Sequence, residues 1–100
     1  KLDKAIYYYG YALSHSPSNN EINLALAKLN INTKNYKDAV TNLFNFQKSS
    51  AATAESLWQW IRLSYATDKE ASLSRYSEQL LQQFPNSPQA LSYLNKEYYD

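Results

Sequence analysis

The 100-residue chain has no cysteine, one glycine, one histidine and three prolines. Without cysteine there is no disulfide, no thiolate nucleophile and no cysteine-based zinc site. So little glycine and proline leaves few positions suited to sharp turns or positive φ, which favours tightly joined long helices over many short strands. No apolar run approaches the ~18 residues of a membrane span, and no signal-peptide pattern is present. Nor is there an excess of one charge. Ten Lys/Arg against nine Asp/Glu give a formal net charge of +1, which is no footprint for nucleic acid. His15 stands just before a breaker, with no acidic neighbour at ligand spacing, and reads as a solvated residue facing the helix dipole. Gly10 lies inside a helical pattern and cradles no phosphate. Asp68 with Glu70 suits a cap better than paired acid–base catalysis, and Glu97 and Asp100 read as surface. The residues therefore point to no catalytic centre, metal or cofactor. What is abundant is aromatic: ten Tyr, three Phe and two Trp.

Small and apolar residues recur at a fixed spacing. Ala5, Ala39 and Leu73 stand 34 residues apart, as do Leu26 and Trp60, and Ala27 and Ile61. Pro17 and Pro85 are two such periods apart. A 34-residue period of paired helices is the length of the tetratricopeptide repeat. The expected fold is all-α, a right-handed superhelix of antiparallel helix pairs forming a single domain over residues 1–100.

Apolar residues at three- and four-residue spacing predict six helices. Helix 2–16 places Leu2, Ala5, Ile6, Tyr9, Ala12 and Leu13 on one face and resembles the second helix of a truncated repeat. Its Tyr7, Tyr8 and Tyr11 either show aromatic surface that a longer chain would cover or are ordinary half-buried tyrosines. Because the chain opens inside a helical pattern, it is expected to be a fragment. Ser16 to Asn20 form a breaker, with Ser18 and Glu21 as a capping box. Helices 20–33 and 36–49 make a complete repeat, 20–53, with Asn35 as the cap between them. Helices 54–66 and 69–84 make the next, 54–87, with a capping box over Thr67–Glu70. Ser87 and Pro88 open a capping helix, 88–98. Among the many asparagines, only Asn35 and its like at helix starts have an evident structural task.

Part of the pattern is narrower than the repeat. Ser56-Leu57-Trp58, Ile61-Arg62-Leu63, Ala71-Ser72, Tyr76, Gln79-Leu80 and Phe84-Pro85-Asn86-Ser87-Pro88 together resemble the C-terminal repeats of the PilF/PilW/Tgl family. The run Leu24-Ala25-Leu26-Ala27, with Asn35-Tyr36-Lys37-Asp38-Ala39, looks like the repeat before it. That family comprises outer-membrane pilotin lipoproteins that help the type IV pilus secretin to multimerise. The resemblance implies a lipoprotein on the periplasmic face of the outer membrane with a secretin subunit as partner. The family's lipidated N-terminal cysteine is absent here, as a C-terminal fragment would have it.

In such repeats the first helix lines a concave groove. The period makes Leu26 and Trp60 packed residues, and Leu24 and Trp58 groove residues. Lys28, Arg62 and Lys96 then hold one position in successive first helices, and Ile31, Tyr65 and Tyr99 another, three residues on. The partner-binding expectation is this set: Leu24, Lys28, Ile31, Trp58, Arg62, Tyr65, Lys96 and Tyr99. Cations would hold carboxylates or carbonyls, and the rings would supply contact area. The alternative is a row of solvated basic residues whose stems cover apolar surface. A carboxylate clamp of the chaperone-binding kind is not evident, since its asparagine position is Ala25 in one repeat and Gln59 in the next. The leading reading is a non-catalytic protein–protein interaction scaffold with a protein or peptide partner, no nucleic acid and no membrane span. A co-chaperone-like adaptor of another assembly, or a module self-associating through its N-terminal helix, are the other readings.

Overall fold

The computed structural model describes residues 2–15 and 19–99. Among these there are six helices and no strand: α1 (Leu2–His15), α2 (Asn20–Asn32), α3 (Tyr36–Ser49), α4 (Ala54–Ala66), α5 (Glu70–Gln83) and α6 (Pro88–Leu94). Five of them fall within about a residue of the bounds that the apolar spacing sets. The sixth stops at Leu94, four residues short of the expected 98. Ser16, Pro17 and Ser18, including the expected Ser18 cap, lie outside the described residues.

The backbone falls into two compact units, residues 1–51 and 52–100. In the first, α2 packs on α3 and α1 on α2. Leu26, Ala27, Ile31, Ala39, Leu43 and Phe46 are buried there. Asparagine does more in this unit than its scattered positions suggest. Asn19 caps α2, its Oδ1 accepting from Ile22 N at 3.1 Å. Asn30 Nδ2 donates to Asn42 Oδ1 at 2.8 Å across the buried α2–α3 seam, where an unpaired amide would be costly. Ser49 Oγ donates to Asn20 Oδ1 at 2.8 Å, tying the two helix ends. Asn35, the one expected cap, holds the N-cap position but makes no side-chain capping bond; its amide donates to Thr33 Oγ1 instead. Tyr7, Tyr8 and Tyr11 are 77%, 65% and 60% exposed, so they are not half-buried.

In the second unit α4 packs on α5, and α6 touches both. Leu57, Trp58, Ile61, Leu80 and Ala90 form its buried centre, with Leu73, Tyr76, Phe84, Tyr93 and Tyr98 against it. Thr53 and Ser56 close a reciprocal capping box at the start of α4: Ser56 N donates to Thr53 Oγ1 and Thr53 N donates to Ser56 Oγ. Serine stands where the usual pattern has Glu or Gln, which is why the spacing rule passes over it. The box expected over Thr67–Glu70 is not formed. Thr67 ends α4, and Lys69 precedes α5 with no side-chain cap. Ser87 does cap α6, accepting from Ala90 N, with Pro88 at its first turn.

Scarce glycine does not remove positive φ from the chain. Lys34, Asp68 and Lys96 have φ of 65°, 57° and 57°. Each follows a helix in the same way. Lys34 N bonds Ile31 O and Asn35 N bonds Asn30 O; the same pair of bonds recurs after α4 and α6. This is the Schellman ending, usually built on glycine, here made with residues that carry a Cβ.

Candidate functional site

The α4 face is organised by a line of polar side chains. Glu55, Gln59 and Arg62 lie at spacings of four and three, hence on one side of the helix. Gln59 Nε2 donates to Glu55 Oε2 at 2.7 Å, and Arg62 Nη1 donates to Gln59 Oε1 at 2.7 Å. Gln89 on α6 donates from Nε2 to Glu55 Oε1 at 3.1 Å. Only one amide orientation of Gln59 satisfies an acceptor at one end and a donor at the other. Gln59 is 0% exposed and Arg62 3% exposed. A buried guanidinium needs its donors satisfied, and the line supplies one acceptor while fixing the side chain's direction.

The same guanidinium reaches the C-terminal segment. Arg62 Nε donates to Tyr98 O at 2.8 Å. The Tyr98 ring stacks on Tyr65, with centroids 4.0 Å apart and planes at 9°. It also lies over Trp58, 6.0 Å away at 20°. Burial raises the Tyr98 phenol above its ordinary value, and the neighbouring Tyr93 and Tyr65 add to the rise. Trp58, Arg62 and Tyr65 therefore hold a residue of the chain itself. Trp60, expected to be packed, is buried on another side of α4 and stacks on Tyr76 at 5.1 Å and 10°.

The expected binding set divides accordingly. In the first unit Leu24 and Lys28 are partly exposed and Ile31 is buried. In the second, Trp58 is 3% exposed rather than open, because Tyr98 lies on it. Tyr65 is exposed over part of its ring. Lys96 and Tyr99 do not continue the first-helix positions, because α6 has ended before them. Lys96 is an exposed turn residue, and Tyr99 is 87% exposed. Sequence reasoning passed over Tyr98, Glu55 and Gln89. A signal was present for the last two: they stand one 34-residue period apart. Gln59, which stands where the carboxylate clamp would have its asparagine, is committed to Glu55 and Arg62. His15, as expected, sits in the last turn of α1, its Nδ1 3.1 Å from Tyr11 O.

Comparison with known proteins agrees with this architecture. Residues 1–43 match the tetratricopeptide repeat family model. The solved structure of Pseudomonas aeruginosa pilF superposes with a TM-score of 0.82 at 22% identity, covering 96% of this chain and 43% of that one. The fold is that of a tetratricopeptide-repeat protein. Repeats of this kind stack helix pairs to present extended binding surfaces; they are protein–protein interaction scaffolds and generally non-catalytic. The chain spans less than half the length of the pilF chain. No curated protein matches it. No helix among the described residues is long and apolar enough to cross a membrane.

Proposed function

We propose that this repeat chain is a non-catalytic part of the type IV pilus biogenesis apparatus. It acts at the periplasmic face of the outer membrane, where it assists assembly of the secretin. The observation that carries the reading is the likeness in fold to pilF over 96% of the chain. The pattern from Ser56 to Pro88, which resembles the C-terminal repeats of the pilotin family, supports it.

In the first unit the partner-facing residues are Leu24 and Lys28 on α2, with Ile31 buried on the same helix; in the second, separately, it is the open part of Tyr65 on α4, with Trp58 and Arg62 buried. Lys96 and Tyr99 contribute from the exposed C-terminal segment. Charge reversal at Arg62 would strip a buried network and says nothing of binding, so Leu24 and Lys28 are the positions to change. Leu24→Glu with Lys28→Glu should weaken binding of purified secretin subunit at least tenfold, with helicity unchanged by circular dichroism. Unchanged affinity with unchanged helicity would remove the assignment. The parent reading frame should open with a signal peptide ending in a lipidated cysteine; a cytosolic start opposes the pilotin reading.

A further inference from the structure

We infer that the α4 face formed by Trp58, Arg62 and Tyr65 is a receptor for one aromatic residue in a non-helical segment of a protein partner, with the chain's own Tyr98 as its resident occupant. The inference rests on the scaffold reading above and gives its partner a chemistry. The three side chains fall at successive turns of one helix face. They recognise two features of what lies on them: a flat ring, stacked at 4.0 Å on Tyr65 and 6.0 Å over Trp58, and a carbonyl oxygen, held at 2.8 Å by Arg62. The carbonyl explains the non-helical requirement, because inside a helix it would be taken by the amide four residues on. The chain meets this by ending α6 at Leu94 and turning through Lys96.

Two features mark the occupant as exchangeable. The next residue, Tyr99, is 87% exposed, so engagement rests on one ring and one carbonyl. The receptor does not depend on the occupant for its shape, since Gln59 and Glu55 already aim Arg62. A tethered segment acts at an effective concentration on the order of millimolar. The intact chain is therefore closed to weak competitors and opens to a partner whose aromatic segment binds more tightly.

The probe is a labelled hexapeptide with the sequence of residues 95–100, titrated by fluorescence anisotropy into the full chain and into the full chain carrying Tyr98→Ala. Saturable binding at least tenfold tighter to Tyr98→Ala supports the inference. So does its loss when Tyr65→Ala is added, or when the first tyrosine of the peptide is replaced by alanine. Equal binding to both chains, or none to a Tyr98→Ala chain of unchanged helicity, overturns it. Should that variant lose helicity, hydrogen exchange of the unaltered chain decides. The Arg62 Nε proton, held by the Tyr98 carbonyl, exchanging at least tenfold faster than the α4 amides supports a displaceable occupant; exchange in step with α4 overturns it. A concentration-dependent dimer with exchanged C-terminal segments also overturns it, since the occupant would then be a second copy. The assay contains no secretin, so its failure leaves the scaffold reading standing. Loss of the secretin interaction with the peptide still bound removes the pilus reading alone.

Discussion

The helices α2 and α4 stand one 34-residue period apart, yet residues at matching positions meet different surroundings. Leu24 and Lys28 remain partly open, while Trp58 and Arg62, one period later, are buried. The polar chemistry differs too. The first unit joins α2 to α3 with a neutral amide pair, Asn30 and Asn42. The second runs a line from Gln89 through Glu55 and Gln59 to Arg62 and the Tyr98 carbonyl. A repeat period therefore sets where a side chain points but not what covers it. Coverage is decided by non-repeating segments such as residues 95–99.

The contrast is broken most strongly by Gln59→Ala. It leaves a buried guanidinium and a carboxylate each short of a partner, a loss of about 3 kcal/mol in denaturant unfolding. Asn42→Ala strands only the Asn30 amide and should cost about 1–2 kcal/mol. Equal losses would mean that the charged line contributes no more than the amide pair. Next are the helix endings. Lys34→Gly and Lys96→Gly relieve the left-handed residue in each unit and should each stabilise by up to about 1 kcal/mol. Asp68→Gly should gain less, since aspartate tolerates that region better than lysine. Destabilisation by all three would contradict the φ values.

The smallest effect expected is a pH dependence from Tyr98 in the second unit. The folded chain holds the Tyr98 proton to higher pH than the unfolded chain, whose phenol titrates near 10.0. Its stabilisation is complete below that pH and is lost as pH rises through the higher folded value. Trp58 emission should change above about pH 10 in the unaltered chain and not in Tyr98→Phe.

The helices were legible because their apolar spacing is local and repeated; even the 34-residue register of Leu26 with Trp60 holds, both being buried. Caps were less legible. Asn19, Thr53 and Ser87 accept backbone amides, whereas Asn35 and Lys69 stand at the same kind of boundary and do not. Whether a polar side chain caps depends on backbone angles that a spacing rule does not carry. The candidate site was half legible. The period brought Trp58, Arg62 and Tyr65 to one face, but extending it to Lys96 and Tyr99 assumed a helix that ends at Leu94. Nothing periodic marks Tyr98, because its contact depends on the chain leaving the repeat.

Proton NMR of the full chain at neutral pH observes the position of Tyr98 directly. Nuclear Overhauser contacts from the Tyr98 ring to Tyr65 and Trp58, with none from Tyr99, are the result expected. Coil-like shifts over residues 95–99, with no contact to α4, would contradict it.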